Sequence, residues 1–274
     1  MRKVPVVLLA VCLVLSGCSF LGGTGTPTAG PNPGPGTDTG TPVDGQVDPP
    51  GIENGRLTDL NVLLDAHETA LLETGFEADL RANATNSFEG EVYESRQRQQ
   101  TIVEPGATEY RFRTTSVGDG FVANNWGNES TTVIRARIGN TTRYQVEDAT
   151  ADRLLTTRPV LENYLNATEM TVVERGTIRD GQQVVRLENE GTPYVDELER
   201  GVVPRNASDL RNWTVTAVVD DRGRVLQFRA TGEYTLQEQA GELDIRFSVL
   251  RTDEPSVERP EWVGEALERA AEQS

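Results

Sequence analysis

From residue 76 onward the chain repeatedly places apolar side chains at every second position. Phe76, Ala78, Leu80 and Ala82 alternate with Glu77, Asp79, Arg81 and Asn83. Tyr110 and Phe112 alternate with Arg111 and Arg113. Near the C-terminus the same spacing joins Trp213, Val215, Ala217 and Val219, then Phe228 and Ala230, then Leu243, Ile245, Phe247 and Val249. Successive side chains of a strand point to opposite faces, so this pattern predicts strands with one apolar and one polar face. Such strands build an antiparallel sheet covered on one side. Further strands are expected at 91–103, 108–117, 120–126, 131–138, 141–147, 168–178 and 182–189. Hairpin turns are expected at Gly139-Asn140, Arg179-Asp180-Gly181 and the "DDRGR" run after Val219.

Three segments break the period of two. "RLTDLNVLLDAHETALLETGF" puts Leu60, Leu63, Leu64, His67, Ala70 and Leu71 on one helical face. Thr58 is the expected N-cap and Gly75 the expected C-cap. "ATADRLLTTRPVLENYLN" is a second helical segment, with Pro159 starting its second half. "VERPEWVGEALERAAEQS" closes the chain with an amphipathic helix, and "TPYVDELERGVVPRNASD" is expected to form a short helix and loop. The fold class is therefore α+β: a curved antiparallel sheet, with two to three helices packed on its concave face. One domain over residues 56–274 is long enough to bury a core.

The first 55 residues have a different character. MRK, the apolar run PVVLLAVCLVL and the small-residue site SGC follow the order of a secretory signal. The run is short for a membrane span. Residues 1–17 are read as signal peptide. Leu15-Ser16-Gly17-Cys18 resembles the lipobox of prokaryotic lipoproteins, which implies cleavage before Cys18 and lipidation of that residue. The alternative is an uncleaved N-terminal membrane helix with an incidental cysteine. Cleavage would remove Cys12, the other cysteine, and leave Cys18 without an intramolecular disulfide partner. Residues 18–55 are dominated by Gly, Thr and Pro, a composition that cannot offset ordering entropy. They read as a tether reaching roughly 35 Å as a flexible coil.

The chain carries 43 acidic and 26 basic residues, a formal charge of −17, and Lys3 is its only lysine. This balance resembles proteins of extremely halophilic archaea. Self-repulsion at that charge opposes compaction in dilute buffer, and molar salt shortens the screening length to about 3 Å. The acidity argues against nucleic acid as a partner. Six N-x-S/T sequons, at Asn83, Asn128, Asn140, Asn166, Asn206 and Asn212, are candidate glycosylation sites on an exported chain.

Catalytic and metal-binding signatures are missing. GxSxG, CxxC, HExxH, P-loop and dinucleotide patterns do not occur. One histidine and one mature cysteine cannot make a His/Cys metal site. His67, on an apolar helical face, is expected to be a core residue with satisfied nitrogens. Asp220-Asp221 is expected to serve a turn. No spacing singles out a glycosidase-like carboxylate pair. These readings predict no enzyme activity, no metal and no cofactor.

The closing stretch "NWTVTAVVDDRGRVLQFRATGEY…GELDIRFSVLRTDEPSVERP" gives strand, D-x-x-G turn, strand, strand and a proline-bearing tail. With the preceding order of helix, strands, helices and strands, it resembles the LolA and LppX/LprG type of lipoprotein-binding or lipid-carrier fold over residues 56–264. The chain also resembles uncharacterised haloarchaeal lipoproteins with a lipobox, a Gly/Thr/Pro tether and this domain. The resemblance implies a half-barrel whose helices leave a cavity for acyl chains. Candidate lining residues are Leu80, Tyr110, Phe112, Trp213, Phe228 and Phe247, although taken singly each fits an ordinary core better. The expected function is a lipid-anchored protein on the outer face of the cell membrane that binds or carries a lipid or other hydrophobic ligand. The alternatives are a structural or interaction protein of the envelope with a protein partner and, behind it, an extracellular hydrolase.

Overall fold

The computed structural model describes residues 48–88, 91–117, 120–178, 181–191, 207–236 and 238–272. Cys18, Asn206, the Arg179-Asp180 turn and the 192–206 segment lie outside the described residues.

Among the described residues thirteen strands form one open antiparallel sheet: β1 (Ile52–Glu53), β2 (Arg56–Leu57), β3 (Phe76–Phe88), β4 (Glu91–Val103), β5 (Glu109–Val117), β6 (Phe121–Asn128), β7 (Thr131–Ile138), β8 (Thr141–Asp148), β9 (Glu169–Thr177), β10 (Gln183–Glu190), β11 (Ala207–Asp220), β12 (Val225–Leu236) and β13 (Gln239–Arg251). Their spatial order is β1-β2-β9-β10-β11-β12-β13-β3-β4-β5-β6-β7-β8. The N-terminal strand run is thus stitched to the C-terminal one where β13 pairs with β3, Phe247 opposite Leu80. The period of two predicted the strands closely. The described fold also takes in residues 48–55, which composition groups with the tether: β1 and β2 form a small hairpin and Ile52 is buried in the core.

Among the described residues four α-helices accompany the sheet: α1 (Leu60–Thr74), α2 (Asp152–Leu155), α3 (Arg158–Leu165) and α4 (Trp262–Ala271). The N-cap of α1 is Asp59, not Thr58; its carboxylate accepts from the Val62 N–H at 3.1 Å, while Thr58 donates to the Gly51 carbonyl. A carboxylate at the cap satisfies an orphan N–H and also faces the positive end of the helix dipole. Gly75, at φ 67°, ends α1 as expected and turns the chain into buried Phe76. Pro159 does stand at the start of α3.

α1, α2 and α3 share one face of the sheet, over a core that includes Leu63, Leu64, Leu71, Leu161, Leu165, Val215, Ile245 and Phe247. α4 departs from the one-sided expectation. It packs on β7 and β8 from the opposite face, where Trp126, Val133, Val257, Val263 and Ala266 make a second, smaller core. At that end the cover is on the outer face, while Thr141, Arg143, Gln145 and Glu147 on the other face of β8 are exposed. The β6–β8 strands permit this because Trp126, Val133 and Val146 occupy the outward register positions, in line with Ile102.

Candidate functional site

His67 anchors α1. Its ring is wholly buried, Nδ1 accepts from the Val225 N–H at 3.0 Å, and Nε2 faces the Thr156 carbonyl at 3.0 Å. A backbone N–H can only donate and a carbonyl can only accept, so the ring is neutral with its proton on Nε2. Burial lowers its pKa from 6.5 to about 4, aided by Arg158 and opposed by the bond to Thr156. The residue ties α1 to the end of α2 and the start of β12, as its place on an apolar face predicted.

Four of the six candidate lining residues meet beneath α1 and α3. Phe228, Phe247 and Leu80 are directly paired across β12, β13 and β3. The His67 ring meets Phe247 edge-on, and Tyr164 of α3 contacts both Phe228 and Trp213, stacking on the latter with centroids 6.1 Å apart. Trp213 lies over Gly232, where a Cβ would come within 2.1 Å of its ring. Tyr110 is buried elsewhere, on β5; its hydroxyl lies 2.7 Å from Thr132 Oγ1 and accepts from the Thr150 N–H. It crosses Gly127, where a Cβ would clash in the same way. Phe112 is half-buried on β5, against the edge of the apolar core.

Strand register draws rows across the helix-bearing face. One row runs Ala217, Phe228, Phe247, Leu80, then Gln99, Thr114, Ala123 and Ala136. Another runs Val249, Ala78, then Thr101, Phe112, Asn125 and Ile134. Both change from apolar to uncharged polar at β4. Gln99, Thr101, Thr114 and Asn125 are all at most 4% exposed. From β3 to β7 every side-chain position on this face is uncharged except Glu91, the first residue of β4, in a chain that is 25% charged. Buried polar groups require partners. Gln99 donates from Nε2 to Thr101 Oγ1 at 3.2 Å, but its Oε1 has none.

The site has an apolar rim. Tyr93 near the start of β4, Val117 at the end of β5 and Ile138 at the end of β7 lie at one end of the sheet, and all are more than half exposed. Phe121 at the start of β6 is half-buried beside them. Tyr93, Phe121 and Ile138 are on the helix-bearing face.

Sequence reasoning missed Gln99, Thr101, Thr114 and Asn125. The available signal was the run Arg96-Gln97-Arg98-Gln99, in which charge alternates with neutrality instead of polarity with apolarity. The outer half of that alternation is an ion-pair array: Asp79 accepts from Arg81 and Arg98, and Asp244 is paired with Arg229 and Arg246. Hydrogen bonding to Arg246 and then Arg229 holds the Asp244 carboxyl below its ordinary pKa. Asp220 does serve its turn, accepting from the Arg222 and Arg224 N–H groups and from the Arg224 guanidinium.

Among the candidate sequons, Asn83 is half-buried within β3. Asn128 Oδ1 accepts from Ser130 and Thr131 in the β6–β7 turn, and Asn212 donates to Glu233. Asn140 is exposed at the β7–β8 turn, and Asn166 is exposed at the end of α3. Among the described residues no His, Cys, Asp and Glu cluster has metal-binding geometry, and no helix is long and apolar enough to cross a membrane.

The chain belongs to a family of unknown function, DUF7537, whose model matches residues 3–266. No curated protein matches it. Among solved structures, it is similar to a putative outer membrane lipoprotein-sorting protein domain from Vibrio parahaemolyticus, at 10% identity and a TM-score of 0.27, covering 75% of this chain and 98% of that one. A LolA superfamily protein from Nitrosomonas europaea is similar at 10% identity and TM-score 0.24, over 70% of this chain and 93% of that one. A DUF1329 family protein from Desulfovibrio piger gives 10% identity and TM-score 0.26, over 69% and 91%. Likeness at this level carries no functional argument.

Proposed function

We propose that the protein is a membrane-anchored, exported lipoprotein that binds a lipid or other hydrophobic molecule on the helix-bearing face of a half-barrel sheet. One observation carries this reading: between β3 and β7 that face is uncharged apart from Glu91 at the start of β4, largely buried, and rimmed by exposed apolar side chains. A face destined for solvent in so charged a chain would carry charge. A face destined only for packing would continue the apolar row of Phe228, Phe247 and Leu80. An amphiphile satisfies both halves, since each buried methylene contributes about 0.8 kcal/mol and hydrogen-bonding groups find Gln99 and Asn125. Of the six candidate lining residues Phe112 stands at this surface, and Leu80, Trp213, Phe228 and Phe247 form the packed wall beside it.

Cys18 holds the lipid anchor in this reading, residues 18–55 give the domain reach, and Asn140 and Asn166 are the sequons best presented for glycans. The buried part of the face, around Gln99, Thr114 and Asn125, offers hydrogen bonding without a titratable group, which favours carriage over catalysis.

Native mass spectrometry of the full chain extracted from membranes at molar salt tests this, together with displacement of the apolar dye N-phenyl-1-naphthylamine. A co-purifying lipid and saturable dye binding are expected. A ligand-free protein that does not bind the dye, cross-linked in the envelope to a protein partner, would establish the interaction-protein reading instead. Cys18→Ser should release the protein into the medium.

A further inference from the structure

We infer that Gln99, with Thr114 and Asn125 beside it, is the station that selects an uncharged amphiphile: an ester, amide or hydroxyl group of the ligand bonds to the Gln99 side chain. The inference rests on the binding reading above and adds the chemical class of the headgroup.

Gln99 has the property that a packing role does not explain. It is 4% exposed, and its Oε1 lacks a hydrogen-bond partner. Exchanging the amide's oxygen and nitrogen does not help, because the Thr101 hydroxyl can serve either atom and the other is still left over. A buried orphan of this kind costs more than a made hydrogen bond contributes, so an apolar side chain here would stabilise the protein by itself. Thr114 stands directly opposite Gln99 on β5. Asn125 uses one N–H on the Phe112 carbonyl at 3.4 Å, which leaves its other N–H and its Oδ1 to a ligand. Phe112 and Ile134, half-buried in the adjoining row, supply apolar surface for the rest of the molecule.

The class of headgroup follows from what is missing. No Arg or Lys lies on this face between β3 and β7, although Arg81, Arg96, Arg98, Arg111 and Arg113 all occupy the outward positions of the same strands. A phosphate or carboxylate drawn in would lose its hydration without meeting a cation, which opposes its binding. A neutral group loses little and satisfies Gln99.

The test uses the full chain in molar salt and three probes: a fluorescent diacylglycerol, the phosphatidic acid carrying the same acyl chains and fluorophore, and N-phenyl-1-naphthylamine, which has no headgroup to place. Wild type should bind the diacylglycerol at least about tenfold more tightly than the phosphatidic acid. Gln99→Met should weaken diacylglycerol about three- to tenfold, the worth of one neutral hydrogen bond. It should leave the naphthylamine dye unaffected and the thermal midpoint equal or higher. Thr114→Val should act in the same direction. Equal affinity of wild type for the two lipids, or a Gln99→Met protein that binds diacylglycerol as wild type does, overturns the inference while dye binding persists. Loss of dye binding in wild type overturns the binding reading as well.

Discussion

The two sides of the sheet are closed by different chemistry. Beneath α1, α2 and α3 the contacts are aliphatic and aromatic, and His67 is fully desolvated with both ring nitrogens used. On the other side, α4 and the segment before it meet β6, β7 and β8 through stacked guanidinium groups around a smaller apolar core. Arg135 lies over Trp262, Arg259 over Trp126 and Arg269 over Tyr144, at 5.0, 5.1 and 5.0 Å from the ring centroids. Glu104 accepts from the Val257 N–H at 2.7 Å and fastens the chain ahead of α4. Burial on the first side removes apolar area from water and tolerates little loss of volume. Cation–π contacts on the second side keep their charges near solvent, so each is weaker and replaceable.

Substitutions should separate the two sides. Phe247→Ala, under α1, should destabilise the fold by about 3–5 kcal/mol, the cost of a large buried aromatic plus its cavity. A loss below about 1 kcal/mol in denaturant titration would mean that this core is loosely filled. His67→Phe keeps the volume but leaves the Val225 N–H and the Thr156 carbonyl unpaired. About 2–6 kcal/mol should be lost, at about 1–3 for each of the two buried orphans.

Acid should act on the same residue. The folded pKa of His67, about 4, lies below its ordinary 6.5, so the unfolded chain takes up the proton first. The stability His67 contributes is fully present above pH 6.5 and is lost as pH falls toward 4, at up to about 1.4 kcal/mol per pH unit. The gap between wild type and His67→Phe should therefore narrow from pH 7 to pH 4; a constant gap would break the assignment of a neutral ring. On the opposite side, Arg259→Ala and Arg135→Ala should each cost only about 0.5–1 kcal/mol. A cost like that of Phe247→Ala would mean that the two sides are equally integral.

Much of this was legible beforehand, for local reasons. A period of two is a property of neighbouring residues, so strand positions such as 91–103 and 131–138 emerged from spacing alone. His67 was readable as a core residue because its helical neighbours Leu63, Leu64 and Leu71 are apolar. The position of α4 was not readable. Its amphipathic pattern says that one face must be covered, and nothing in it says which side of the sheet does so. Trp213 and Phe112 looked alike as strand aromatics. Tyr164 and Gly232 enclose the first, and neither is near it in sequence.

The sequence by itself determined the alternation that makes this an antiparallel sheet, the capping glycine that ends α1, and a charge balance averse to nucleic acid. Each depends on residues within a turn or two of one another, or on composition. Tertiary structure alone decided that β13 closes against β3, and that Leu80 therefore continues a row from Phe228 to Gln99. Polar side chains from separate strands form a site only once register aligns them, and register is fixed by pairing across the whole sheet. Gln99 is an ordinary glutamine in the chain, and its unpaired oxygen exists only where the strands beside it remove the water.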